Sequence, residues 1–175
     1  AVVHNGIIEN HDEIRLGLEE KNVVFETTTD TEVISHLLSN LMKNNNNFFD
    51  ACVSVVKKIE GAYAFAAIQS LNEEIFVARK TSPLVLGIGD GYNIVGSDAQ
   101  SISQMVSEVI YLNDGDYAIL NKTTIKIYDS NNKSVEREKI NIKSNLNFLN
   151  KDGFKHFMEK EIYEQPNVLI NTIGS

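Results

Sequence analysis

The sequence is poor in cysteine, proline, tryptophan and basic charge: one Cys, two Pro and no Trp occur in 175 residues, and Lys plus Arg number 16 against 24 Asp plus Glu. A lone Cys52 closes no internal disulfide and supplies no multi-thiolate metal site by itself. The formal charge of −8 argues against nucleic-acid and anionic-membrane partners, both of which call for basic patches. No uncharged apolar run approaches the ~20 residues needed to span a bilayer, and no basic region precedes the first apolar residues, so a cytoplasmic protein is expected. His4, His11, His36 and His156 form neither an HxxxH nor an HxH pair, so no zinc motif is visible and no cofactor is expected.

At 42% hydrophobic, the chain suffices for one domain burying roughly 70% of its unfolded surface, with or without a tail. It begins inside an apolar, β-branched run, Ala1-Val2-Val3, and stops inside an apolar segment from Pro166 to Ser175. Natural chains more often start and end in polar, frayed sequence, so a fragment of something larger is expected.

Asn10 with Glu13 has the form of a capping box opening a helix over about 10–21. Val33, Ile34, Leu37, Leu38, Leu41 and Met42 make one apolar stripe at the helical period. Asn44 to Asn47 reads as a loop. Phe48, Phe49, Cys52, Val55, Val56 and Ile59 form a third helical stripe, with Glu60-Gly61 as its terminating glycine signal. Short strands then follow at 62–69, 75–78, 84–88, 93–96, 109–112, 117–120 and 125–128, with turns at Gly89-Asp90-Gly91, Asp114-Gly115 and Asn131-Asn132. Between them Asp98 caps a short helix that points Ile102 and Met105 inward. Early helices and later, tightly linked strands predict an α+β fold, helices packed over antiparallel sheet. Polar sequence from Asn141 to Gly153 reads as a linker.

Two places can carry chemistry. His4-Asn5-Gly6 ends the first strand, where an amide side chain and a backbone N–H can together form an oxyanion hole; an ordinary strand-end turn fits the tripeptide as well. Asp30 can bind an ammonium, and Thr29 or Asp30 can equally cap the second helix, with Glu32 favourably placed in its first turn. Cys52 lies on a helical apolar stripe and reads as core. Gly87-Ile88-Gly89-Asp90-Gly91 lacks both phosphate-loop spacings and reads as a hairpin turn.

Taken as whole strings, the segments Val2-Val3-His4-Asn5-Gly6-Ile7-Ile8-Glu9-Asn10-His11, Thr29-Asp30-Thr31-Glu32-Val33-Ile34, Gly61-Ala62-Tyr63-Ala64, Ala78-Arg79-Lys80-Thr81-Ser82-Pro83-Leu84-Val85, Ser97-Asp98 and Lys160-Glu161-Ile162-Tyr163-Glu164-Gln165-Pro166 resemble, in order, the glutamine-dependent glucosamine-6-phosphate synthases. These enzymes are also called glutamine–fructose-6-phosphate aminotransferases. The resemblance implies a four-layer α/β/β/α N-terminal-nucleophile glutaminase fold, incomplete at its N-terminus. It divides the chain into glutaminase domain over 1–145 and interdomain linker, with the start of a sugar isomerase domain, over 146–175. It implies glutamine as substrate, Asn5 and the Gly6 N–H as oxyanion-hole donors, and Asp30 as the ligand of glutamine's α-ammonium. The nucleophile implied is an N-terminal cysteine upstream of Ala1, so a chain inactive on its own is expected. The acceptor implied is fructose 6-phosphate, bound by the isomerase domain of a dimeric or larger enzyme. The rival expectation is a non-catalytic regulatory or assembly domain that kept the fold and lost the nucleophile.

Overall fold

Along neighbouring strands, Tyr63, Phe65, Ala67, Phe76, Ala78 and Tyr117 alternate with Ala64, Val77, Ala118 and Leu120, and the two sets fill different layers of core. The structure is a computed structural model describing residues 1–43, 47–70, 72–142 and 153–173. The elements run β1 (Val2–Ile8), α1 (His11–Glu19), α2 (Asp30–Lys43), α3 (Phe48–Val56), β2 (Gly61–Ile68), β3 (Ile75–Lys80), β4 (Val85–Ile88) and β5 (Asn93–Gly96). After these come α4 (Ala99–Ile102), β6 (Glu108–Tyr111), β7 (Tyr117–Leu120), β8 (Ile125–Tyr128), β9 (Ser134–Val135), β10 (Lys139–Asn141) and α5 (Phe157–Ile173).

Among the described residues the strands form two antiparallel sheets, β1-β2-β3-β7-β8-β9 and β10-β6-β4-β5. The first core cluster lies between α1–α3 and one face of the six-stranded sheet. The second joins that sheet's other face to Leu86 and Ile110 of the four-stranded sheet and to the flanking Leu84 and Leu112. The third packs Val85 and Val109 against Ile102 and Val106 beside α4. The layers are therefore helix, sheet, sheet, helix. Phe65, Phe76, Tyr117 and Tyr128 form a row across β2, β3, β7 and β8 with successive ring centroids 5.9, 5.7 and 5.5 Å apart. Burying Phe65 and Phe76 almost completely contributes roughly 1.5–3 kcal/mol each.

The structure corrects several sequence expectations. Asn10 makes no side-chain cap to α1; its amide instead donates to the Lys58 carbonyl and accepts from the Glu60 N–H, tying the start of α1 to the α3–β2 link. Gly61 does not terminate α3, which ends at Val56. It opens β2 with φ +113°, and a Cβ there would lie 2.3 Å from the Ile7 carbonyl oxygen, so glycine lets β1 approach. Met105 is 55% exposed, because the chain leaves helical geometry after Ile102 and Val106 fills the inner position instead. Asn47 caps α3 by accepting from the Asp50 N–H, and Asp98 caps α4 by accepting from Ser101. Residues 44–46 of the expected Asn loop and 143–152 of the expected linker lie outside the described residues. The short strands β9 and β10 went unanticipated.

The chain divides into two compact units, Ala1–Ile142 and Lys143–Ser175. The described part of the second carries α5, which holds Pro166 inside it and pairs Lys160 with Glu164 one turn on. Among the described residues no helix is long and apolar enough to cross a membrane.

Candidate active site at the edge of the first strand

Among the described residues β1 is the outermost strand of its sheet, and its hydrogen-bond parity decides which amides remain available. Ala1 and Ile68 exchange both N–H···O bonds, and the Glu9 N–H donates to the Glu60 carbonyl. In an antiparallel ladder the bonded pairs alternate, so odd positions of β1 bond to β2 while the N–H groups of His4, Gly6 and Ile8 point to the strand's outer edge. Ile8 bears this out by donating to Asp30 Oδ2 at 2.8 Å. Gly6 has φ +126° and stands opposite Tyr63; a Cβ there would lie 2.1 Å from the Ala62 carbonyl oxygen and 2.8 Å from Tyr63 Cα. Only glycine permits this approach, and it leaves an outward N–H beside Asn5.

Period-two alternation sends His4 and Asn5 to opposite faces. Asn5 turns toward the four-stranded sheet, where its Nδ2 donates to Ser97 Oγ at 3.0 Å. It lines a crevice of about 180 Å³ with Val3, Ala64, Leu84, Gly96 and Ser97. An amide nitrogen carries two donor hydrogens, so one remains for a ligand. Val3 and Ile7, on the same face, are 69% and 67% exposed.

His4 turns toward α2, with its side chain only 1% exposed. Its Nδ1 lies 3.1 Å from Thr31 Oγ1 and 3.9 Å from Asp30 Oδ1. Burial pushes its pKa below the ordinary value and outweighs the raising effect of Asp30. Asp30 opens α2, and its carboxylate reaches across to β1 instead of capping its own helix. With the side chain 22% exposed, one oxygen holds the Ile8 amide and the carboxylate keeps acceptor sites facing solvent.

Glu32 does more than favour a helix start. Its carboxylate accepts from the Glu26 and Thr27 N–H groups, both at 2.8 Å, and from the Thr27 hydroxyl, and it pairs with His36 at 3.1 Å. The Thr27 hydroxyl and those backbone donors hold its pKa down at about 2. The loop leading into Asp30 is thereby fixed.

A contrasting carboxylate lies elsewhere in the same unit. Asp116, 2% exposed, accepts a fork from Arg137 at 2.7 and 2.8 Å and the Asn113 N–H at 2.8 Å. Cys52 is wholly buried in the first core cluster, and burial pushes its thiol up to about 12, which removes it as a nucleophile near neutral pH.

Of the residues expected to carry chemistry, Asn5 and Gly6 stand adjacent on β1, and Asp30 is bonded to the same strand two residues beyond Gly6. Ser97, Thr31 and the bonding of His4 were not read from the sequence. Alternation alone would have placed His4 opposite Asn5, but Ser97 is 92 positions from its partner and no local pattern signals the contact.

The chain belongs to the glutamine amidotransferase domain family, whose match covers residues 1–104. It is 44% identical over 174 residues to the glutamine–fructose-6-phosphate aminotransferase [isomerizing] of Idiomarina loihiensis, covering 99% of this chain and 28% of that protein. It is 42% identical to the proteins of the same name from Haemophilus influenzae and Thermotoga maritima, with the same coverages. The chain thus spans a little over a quarter of the length of the curated relatives it matches. Among solved structures, glutamine phosphoribosylpyrophosphate amidotransferase from B. subtilis, complexed with ADP and GMP, superposes with a TM-score of 0.65 at 25% identity, covering 74% of this chain and 28% of that one. A structure described as the allosteric regulatory enzyme of purine biosynthesis gives 0.63 at 26% identity, with the same coverages. The fold is that of the N-terminal-nucleophile glutamine amidotransferases.

Proposed function

We propose that this chain is the glutaminase portion of a glutamine–fructose-6-phosphate aminotransferase of the cytoplasm, which hydrolyses glutamine and passes the ammonia to fructose 6-phosphate to give glucosamine 6-phosphate. The observation that carries the reading is the outer edge of β1, which offers the Gly6 N–H and the Asn5 amide and to which the partly open Asp30 carboxylate of α2 is bonded through the Ile8 N–H. In this scheme a thiolate attacks the side-chain amide carbon of glutamine, and the carbonyl oxygen becomes an oxyanion. Asn5 Nδ2 and the Gly6 N–H stabilise that charge as it develops. The amide nitrogen leaves as ammonia after taking a proton, and water cleaves the resulting thioester to glutamate. Asp30 binds the α-ammonium and places the amide at the donors.

Cys52 cannot serve as the nucleophile, so the thiol comes from outside these 175 residues, in keeping with the family's N-terminal cysteine. Domain limits of 1–145 and 146–175 belong to the same proposal. The test incubates the full-length protein that carries this chain with glutamine and fructose 6-phosphate. Equal amounts of glutamate and glucosamine 6-phosphate are expected, and no glutamate from the isolated 175 residues. A full-length protein that leaves glutamine intact contradicts the reading, and glutamate from the isolated chain above a protein-free control contradicts the external nucleophile.

A further inference from the structure

His4 presents a buried imidazole with one nitrogen engaged and one idle. Nδ1 lies 3.1 Å from the Thr31 hydroxyl, while Nε2 is buried without a hydrogen-bond partner. A buried unpaired nitrogen is a standing cost that an apolar residue filling the same space would not incur. What histidine supplies here is therefore the Nδ1 contact, and that contact joins β1 to the first turn of α2. A second tie runs parallel to it, from the Ile8 N–H to Asp30 Oδ2. The two ties flank Gly6, at positions 4 and 8 of the strand.

We infer that His4 is a positioning residue for substrate binding: pinned through Nδ1 to Thr31, it locks the first turn of α2 to β1 and so sets the separation between Asp30 and the Asn5–Gly6 donors. The inference rests on the reading of Asp30 as the ligand of glutamine's ammonium, since only then does that separation matter to a substrate. An amino acid held at its ammonium by one group and at its side-chain amide by others tolerates little error between them, and small misplacements are costly. Burial also favours the neutral ring, so His4 leaves the charge of Asp30 for an incoming ammonium instead of cancelling it.

The test compares glutamine KM and kcat of the full-length protein with those of four variants. Asn carries its amide near the position of Nδ1 and Gln near that of Nε2. His4→Gln and Thr31→Val should therefore each raise KM roughly 5- to 30-fold with kcat little changed, while His4→Asn stays near the parent. Asp30→Asn is the reference, and its KM should rise further. If Asp30→Asn raises KM but His4→Gln and Thr31→Val do not, even where they lower the melting temperature, His4 is a packing residue and the inference fails while the reading of Asp30 stands. If Asp30→Asn has no effect either, both fail. A fall in kcat at unchanged KM, or an Asn variant as impaired as the Gln one, also overturns it. Should His4→Gln not fold, Thr31→Val, which removes only the hydroxyl, decides the matter alone.

Discussion

Asp30 and Asp116 each accept a backbone N–H at 2.8 Å, yet the rest of each carboxylate meets a different fate. Asp116 is 2% exposed, and the Arg137 fork occupies both of its oxygens. Asp30 is 22% exposed, the His4 imidazole 3.9 Å away is held below its ordinary pKa by burial, and among the described residues no guanidinium fork answers it. A saturated carboxylate is committed to the fold, whereas one anchored at a single point keeps acceptor capacity for a further donor. The same contrast separates Cys52, sealed in the core with its thiol pushed up to about 12, from Asn5, which lines an open crevice and spends one of its two amide hydrogens on Ser97.

The contrast can be broken by substitution, and the largest effect should come from the open side. Asn5→Ala in the full-length protein should lower glutaminase kcat by about 10²–10³, or roughly 2.7–4 kcal/mol of transition-state stabilisation, at little-changed KM. Retention of full kcat would reduce Asn5 to the partner of Ser97. On the saturated side, Asp116→Ala should cost about 2–3 kcal/mol of stability by chemical denaturation, below the ~3–5 kcal/mol of a fully buried pair because Arg137 keeps some access to water. Its glutamine KM should not move; a shift there would mean that the two carboxylates are coupled. The smallest effect concerns the loop before Asp30. Glu32 titrates at about 2 when folded against an ordinary 4.5, so the unfolded chain binds its proton first as pH falls. Its stabilisation is complete above pH 4.5 and lost toward pH 2. Glu32→Gln should flatten the acid dependence of the denaturation midpoint within that window; an unchanged slope would show that Glu32 does not secure the loop.

The layers were legible because period carries them. The stripe from Val33 to Met42 reads as a helix with one buried face, and the short apolar runs after Gly61, separated by turn residues, read as strands. What escaped is what period does not encode. Gly61 looked like a helix stop because glycine marks both helix ends and close strand contacts, and only the position of β1 tells them apart. Asn10 fitted a cap box by spacing, yet its amide bridges to residues 48 and 50 positions away. At the site, Asn5, Gly6 and Asp30 stood out through residue type and family resemblance. The ladder parity that frees the Gly6 N–H, and the clasp of His4 on Thr31, exist only once β1 has paired with β2 and met α2.

The most direct test of the account is the glutamine KM of Asp30→Asn in the full-length protein, read together with its melting temperature. Asn keeps an oxygen for the Ile8 N–H and removes the charge, so the fold should be spared. A charge-assisted bond to an ammonium is worth roughly 1.5–3 kcal/mol, which predicts a KM raised about 10- to 150-fold at an unchanged melting temperature. An unchanged KM with a lowered melting temperature would place Asp30 with Asp116, as a carboxylate that holds the fold and binds nothing.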